Sequence, residues 1–460
     1  MTYGVQFLTS ILIAAKLGPH YMGIWGFVLL ILNYFGQFHF GIANALNVLL
    51  VQHKDDQDDS KIYIHNSMFL LLLLSTFVGL SYVYYLVVGI PLVDKYEAGK
   101  YMWSVCLIAI FQYFNGLFSN IFRVKNKLNS ISLTQSLIVF LPFFVIFIFK
   151  DKLLLDALVI SYLISNLICI VYSFSTGIIP KFSFKDLSKD KQKEIFQKGI
   201  CLFFYNTCFA FIVISIRTVV SKNYSIAEFG MFTFAFTLGN AVMSLMEAFA
   251  FIAFPKVISM FNSKDNDLVE SKLMSVREVY MASSHFSIYI FMLLMPLLGF
   301  IMPQFKGSIV AFNLIVLALA LNSNNFGYSS LLIARNKEIT AAILAAIALF
   351  INIVMAEFLV KVLHVGYNKV AFATLIANLF ICLSTYYFCS KELNKKINII
   401  IFFPLRLLLP YIIAIFIGIL GLSNLLWLPL AVFVAFNLST IKKIASVAMS
   451  MIKDSSKINI

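Results

Sequence analysis

Apolar runs of about 20 residues recur from one end of this 460-residue sequence to the other, and each is long enough to cross a hydrocarbon core of about 30 Å as a helix. Inside lipid every backbone N–H and C=O must find its partner within the protein, so such runs read as transmembrane helices. Composition agrees: 61% of the residues are apolar and 12% charged, against roughly 25% charged in a soluble domain. The expected fold is an all-α integral membrane protein that is nearly all membrane.

Polar and Gly/Pro punctuation divides the chain into fourteen candidate spans, at about 2–17, 22–50, 62–88, 101–122, 131–149, 157–179, 199–220, 227–252, 280–302, 308–333, 339–360, 370–390, 398–421 and 425–441. A twelve-span reading merges or demotes two of them. The first span lacks a basic leader and runs into Leu17-Gly18-Pro19 without a cleavage site. It reads as a retained helix, short at its amino end, so that the native start lies upstream of Met1 or the sequence begins inside the span.

The net charge of +14 does not point to nucleic acid, because the basic residues sit in short clusters between apolar runs. They carry topology instead. Of the 35 Lys and Arg, 24 fall on the even-numbered loops and the carboxyl-terminal tail, 9 on the odd-numbered loops, and Arg217 and Arg406 lie within spans. The positive-inside rule then puts both termini in the cytoplasm. The largest polar segments face inward on this reading. Residues 181–198 form a lysine-rich linker that orients the protein or binds headgroups, and Pro255 to Val279 alternates charged and apolar residues like a helix lying on the membrane surface. The six cysteines all fall in apolar runs and read as small packing residues, with no metal site among them.

Two turns resemble one another. Leu17-Gly18-Pro19-His20-Tyr21-Met22-Gly23-Ile24-Trp25 lies between spans 1 and 2, and Tyr224-Ser225-Ile226-Ala227-Glu228-Phe229-Gly230-Met231-Phe232 between spans 7 and 8. An offset of 207 pairs Gly23 with Gly230 and Asn33 with Asn240. Six spans separate the turns, so both halves enter the membrane in the same direction, as in parallel repeats. The expected organisation is an N-lobe (1–180), the cytoplasmic linker (181–198), a C-lobe (199–390) with a cavity between six-helix lobes, and an added helix pair with a cytoplasmic tail (391–460).

Leu17-Gly18-Pro19 with Gly23, the segment Phe38-His39-Phe40-Gly41-Ile42-Ala43-Asn44-Ala45-Leu46, Arg217, the turn at Glu228 to Phe232, and Phe254-Pro255-Lys256 together resemble the polysaccharide biosynthesis flippases, the O-antigen type of the multidrug/oligosaccharidyl-lipid/polysaccharide exporter superfamily. The resemblance spans nearly the whole chain. It departs from the family pattern at Ile216, where an acidic residue often precedes the arginine, and at His39, where a carboxylate or amide is common. It implies translocation of an undecaprenyl-pyrophosphate-linked oligosaccharide, an O-antigen or capsule repeat unit, from the inner to the outer leaflet of a bacterial plasma membrane by alternating access. It also implies a lipopolysaccharide-type pathway with a polysaccharide polymerase as partner, and a monomer. Catalytic residues and a resident cofactor are not expected, and proton or sodium coupling stays open.

Charge within a bilayer is unfavourable by about 2.5–3.5 kcal/mol per central residue on insertion scales, so each instance is a candidate. Arg217 in span 7 either meets the diphosphate with its planar fork or snorkels to the headgroups. Glu247 in span 8 faces a cavity or pairs with a cation. His39 titrates near neutral pH or packs by a hydrogen bond. Gln37, Asn33, Asn44, Asn115, Asn240, Asn322, Asn324 and Asn325 offer donors and acceptors to sugar hydroxyls, or join helices; Arg123 near a span end is a further candidate. A pair such as Glu357 with Lys361 explains the peripheral charges. Two rivals compete. A drug or cation exporter of the same superfamily wants a buried carboxylate, and spans 1–6 hold no central Asp or Glu. A polymerase or ligase wants a large external loop, and the outward loops are at most about a dozen residues. The chain contains no Gly-x4-Gly-Lys-[Ser/Thr] loop for nucleotide hydrolysis.

Overall fold

The computed structural model describes residues 2–53, 56–261, 266–335, 337–398 and 402–453, with side chains for all of these except 2–3, 57, 201–202, 245–261, 333 and 443–453. Among the described residues the secondary structure is helical, without strands. In chain order the helices are α1 (Thr2–Gly36), α2 (Ile42–Gln52), α3 (Gln57–Val88), the short α4 (Pro91–Lys95), α5 (Met102–Val124), α6 (Leu128–Ile148), α7 (Asp151–Ser175), α8 (Lys189–Asn223), α9 (Ile226–Phe261), α10 (Asn266–Ile301), α11 (Ser308–Asn324), α12 (Tyr328–Ala334), α13 (Glu338–Lys361), α14 (Phe372–Glu392), α15 (Leu405–Leu420) and α16 (Trp427–Lys453).

Twelve described helices are long and apolar enough to cross a membrane, and two details reconcile that number with fourteen candidate spans. Helix α1 has 35 residues, about 52 Å at 1.5 Å per residue, which exceeds one crossing. It breaks at Gly18 (φ 66°, ψ 172°), with Pro19 opening its second half, so spans 1 and 2 share this element. Helix α15 has 16 residues, about 24 Å, and falls just under the length of a full span. The protein is a multi-pass membrane protein.

Three stretches differ from the sequence expectation. Span 2 is interrupted, running from α1 through a non-helical segment at 37–41 into α2; Phe40 (φ 46°) and Gly41 (φ 72°) hold left-handed backbone there. Span 10 breaks likewise between α11 and α12, at Gly327 (φ 86°). The segment Pro255 to Val279 is not a separate surface helix: from Asn266 onward it is the first part of α10, which continues unbroken to Ile301. The polar linker is helical from Lys189, where α8 begins.

The chain forms two compact units, one of residues 1–210 with 224–230, the other of 211–223 with 231–460. In the first, α5 packs against α1, α2, α3, α6 and α7. One face of α5, including Val105, Ala109, Leu117, Ile121 and Phe122, is almost wholly buried. In the second, α11 holds the central place against α10, α14 and α15. Nearly all of its side chains are buried, as expected of a helix apolar on every side. The carboxyl-terminal pair α15 and α16 packs on α10 within that unit.

Residues 180–198 dock on the start of α3. His65 Nδ1 meets the Asp186 carboxylate at 2.7 Å. Asn66 donates to the Asp186 carbonyl at 2.9 Å and accepts from Ser188 N at 2.9 Å. The Tyr63 hydroxyl donates to Glu194 at 2.7 Å and accepts from Lys191 Nζ at 2.9 Å. The Tyr63 hydroxyl holds the Glu194 carboxyl below its usual range, with Lys198 and Lys191 adding to the effect. Lys191 also lies 3.6 Å from Asp59, and Lys198 3.6 Å from Glu194, so these two linker lysines have partners within the protein. The five described cysteines are free and buried, consistent with packing. The expected Glu357–Lys361 pair forms at 2.7 Å.

Candidate functional site

The break in span 2 sets the first group of candidate residues. Non-helical backbone at membrane depth is tolerated only where protein or a water-filled cavity surrounds it. Here the flanking helices supply partners: the Tyr113 hydroxyl donates to the Phe35 carbonyl, and Asn120 Nδ2 donates to the Ala43 carbonyl at 2.9 Å. Gly41 N donates to His39 Nδ1 at 2.9 Å, which fixes the imidazole against its own turn, edge-on to Tyr113 and Phe203. Gln37 accepts from Thr207 Oγ1 on α8 at 3.3 Å. Both Gln37 and His39 are half-buried. A Cβ on Gly41 would lie 2.8 Å from the Gly199 carbonyl oxygen and 2.9 Å from Phe203 Cβ, so the start of α2 crosses α8 with no room for a side chain.

A second close crossing joins the two similar turns. A Cβ on Gly23 would strike the Ile226 carbonyl, and one on Gly230 would strike the Pro19 carbonyl and come within 2.8 Å of Gly23 N. The offset that pairs Gly23 with Gly230 also pairs Pro19 with Ile226. The contact is therefore reciprocal, each glycine meeting the repeat partner of the residue that meets the other, which is the mark of a local two-fold relation. Each turn starts a helix at the matching place. Gly18 precedes Pro19 on one side, and on the other Ser225 and Glu228 form a capping box: Ser225 N donates to Glu228 Oε2 at 2.9 Å, and Glu228 N to Ser225 Oγ at 3.3 Å. Tyr96, fully buried, stacks on Phe27 at 4.3 Å and meets Phe229 edge-on, while neighbouring Lys95 donates to the Tyr224 carbonyl at 2.6 Å. Burial lowers the Lys95 ammonium below its ordinary pKa.

Arg217 is 2% exposed, its guanidinium 5.1 Å from the centre of the Phe236 ring; that burial is at odds with snorkelling to headgroups. Asn115 donates to Asn166 Oδ1 and to its carbonyl, both at 3.1 Å, and so joins α5 to α7. Asn33, Asn44 and Arg123 are exposed, and Asn240 is half-buried. Glu247 falls on α9, in the stretch whose side chains lie outside the described residues. The structure brings Gln37 and His39 together at one break.

Comparison with known proteins fits this architecture. Residues 1–261 match the family described as polysaccharide biosynthesis protein. The chain belongs to that family. No curated protein matches it. Among solved structures, this polysaccharide biosynthesis protein is similar to the lipid II flippase MurJ in an inward closed conformation, at 16% identity and TM-score 0.72, covering 97% of this chain and 98% of that one. It is also similar to an inward-facing multidrug resistance MATE family transporter of the MOP superfamily, at 14% identity and TM-score 0.69, covering 85% and 94%. A MATE structure in a straight conformation shares 15% identity at TM-score 0.55, covering 86% and 94%. At these identities the likeness is one of fold.

The family member also carries a buried polar cluster in which the amide Asn324, a sequence candidate, meets Arg277 and His285, which sequence reading missed. Arg277 on α10 is 2% exposed. It donates to the Tyr328 hydroxyl and, at 2.7 Å, to the Asn324 carbonyl, and its guanidinium stands 3.7 Å from the centre of the Tyr328 ring. His285 meets Asn324 Oδ1 at 3.1 Å and the Tyr289 hydroxyl at 3.0 Å. The signal lay in spacing: Arg277, Met281, His285 and Tyr289 recur every four residues, which puts them on one helix face, and all four are buried. The surrounding charges of residues 264–278 led that face to be read as a surface helix.

Proposed function

We propose that this chain is a flippase for a lipid-linked oligosaccharide, carrying an undecaprenyl-pyrophosphate-linked repeat unit from the inner to the outer leaflet of a bacterial plasma membrane by alternating access. The observation that carries the reading is membership of the polysaccharide biosynthesis family over residues 1–261, on a multi-pass fold similar in 97% of the chain to a lipid II flippase. The physical problem fits. A headgroup of sugars and phosphates cannot cross hydrocarbon unaided, since each unpaired polar group is unfavourable by several kcal/mol. A protein that shields the headgroup while the polyprenyl tail stays in lipid removes that barrier with no bond made or broken, and so needs no catalytic residue. The interrupted spans support it, because broken helices place backbone polar groups at membrane depth in transporters.

On this reading Gln37 and His39 at the break in span 2 offer polar contacts to the headgroup, Arg217 supplies positive charge, and a polysaccharide polymerase takes the product. Ion movement down a gradient supplies the energy, at about 2.3 kcal/mol per charge per 100 mV. The test is deletion of the gene in its host followed by assay of lipid-linked glycans by leaflet. Completed units should accumulate on the inner leaflet and return to the outer leaflet on complementation. Normal export in the deletion strain overturns the proposal, and drug resistance conferred on a hypersensitive host by this protein would replace it with the exporter reading.

A further inference from the structure

A cavity of about 210 Å³ opens among α10, α15 and α16, all within the second unit, lined by Met274, Arg277, Glu278, Pro404, Arg406 and Asn437 among others. Its charges do not balance. Glu278 pairs with Arg406 at 2.7 Å, whereas the partners of Arg277 are neutral: a hydroxyl, a carbonyl and an aromatic ring. Two guanidiniums and one carboxylate leave one positive charge, and an uncompensated charge buried this deeply is strongly unfavourable without an anion. Arg277 Nε has no hydrogen-bond partner in its buried position, leaving a donor available.

A second group adds a demand of opposite kind. Asn437 sits at a break in α16 (φ −126°, ψ 22°) and is fully buried. Its Nδ2 donates to the Arg406 carbonyl at 3.0 Å and the Phe433 carbonyl at 2.9 Å, which fixes the amide orientation. That leaves Asn437 Oδ1 buried and without a donor. The cavity thus asks for one negative charge and for a hydroxyl or amine hydrogen. Pro404 on its wall immediately precedes α15, whose amino-terminal end favours an anion. At about 210 Å³ the space is below the range of about 300–1,000 Å³ typical of drug-sized ligands, and too small for an oligosaccharide.

We propose that this cavity binds a monoanionic phosphodiester bearing free hydroxyls, the chemistry of the glycerophosphate headgroup of an acidic membrane lipid. The phosphate oxygens meet Arg277 and Arg406 in charge-assisted hydrogen bonds, and a headgroup hydroxyl donates to Asn437 Oδ1. The site does not rest on the flippase reading, since a lipid bound here stabilises the α10–α15–α16 packing whatever the protein transports.

The test is native mass spectrometry of the full chain in detergent, titrated with phosphatidylglycerol, with zwitterionic phosphatidylcholine, and with glycerophosphoglycerol, which is the headgroup without acyl chains. Phosphatidylglycerol should bind in preference to phosphatidylcholine. Arg406→Gln should weaken that binding about tenfold, the scale of one charge-assisted hydrogen bond, and Glu278→Gln, which keeps both guanidiniums and removes their competitor, should tighten it. Arg277→Gln is expected to weaken binding most, and the two milder variants keep the test decisive if it fails to fold. Displacement of the lipid by glycerophosphoglycerol at equal concentration would assign the site to a soluble ester of the same chemistry. Equal binding of the two lipids, unchanged in Arg406→Gln and Glu278→Gln, overturns the proposal.

Discussion

At the scale of single residues, the glycines separate sharply by what surrounds them. Gly41 combines a left-handed φ with a crossing that leaves no room for a methyl group. The conformation alone disfavours an L-residue by about 1–2 kcal/mol, and overpacking adds about 1–3 kcal/mol. Gly41→Ala and Gly230→Ala should both lower the midpoint of thermal unfolding in detergent. Gly116→Ala, on α5 with open space around it, should leave the midpoint unchanged or raise it, because Gly disfavours a helix interior by about 1 kcal/mol relative to Ala. Equal effects at the three sites would show that the crossings are not tight. These glycines were legible because a turn motif announces itself in a few letters. Arg277 was legible only through its four-residue spacing with Met281, His285 and Tyr289; that its guanidinium meets the Asn324 carbonyl depends on where α11 ends, and nothing in residues 264–278 carries that information. Arg217 was legible as an oddity of its span, while whether it meets Phe236 or a headgroup is decided by packing.

At the scale of elements, the positions of the helices follow the apolar runs closely, and their interruptions do not. Span 2 reads as one stretch because Phe38, Phe40 and Ile42 keep it apolar across the break. Gly36 and Gly41 flank the non-helical turn, and only the structure shows that the chain uses them to stop and restart. Helix starts are better marked. Ser225 and Glu228 spell a capping box, and Ser225→Ala should destabilise the start of α9 by about 1 kcal/mol, read as faster amide hydrogen exchange over the first turns after Tyr224. The docking of α8 on α3 makes a pH-dependent prediction. Glu194 titrates below its ordinary pKa, first because Tyr63 donates to its carboxylate and then because Lys198 and Lys191 lie near. A carboxyl with a depressed folded-state pKa stabilises the fold above its unfolded pKa, and that stabilisation is lost as the pH falls through the folded value. Tyr63→Phe removes the main cause. Its destabilisation relative to the unaltered protein should be full near pH 7 and shrink as the pH falls below about 4.5. Thermal unfolding across that range checks it, and a pH-independent deficit would assign the effect to packing.

At the scale of the whole molecule, sidedness comes from charge alone. The buried position of Arg277 removes one residue from the 24 counted on the even-numbered loops and tail, which leaves 23 against 9, so the bias behind the expectation of cytoplasmic termini is hardly altered. The break at Gly18 matters more to that assignment. If α1 crossed once, as one long helix, the same charge bias would keep the basic clusters inside and put the amino-terminal end of α1 outside; if it crosses twice, that end lies on the side of the clusters. Alkaline phosphatase, active only outside the cytoplasm, separates the two. Fusions after His20, Gly89 or Lys150 should be active and fusions after His53, Lys125 or Lys185 inactive. The junction at His20 is decisive because it lies just past the break. Activity there together with inactivity at His53 requires span 2 to complete a crossing through its unwound segment; inactivity at both junctions would reduce α1 to a single pass, and the reverse pattern from His53 onward would overturn the orientation read from charge.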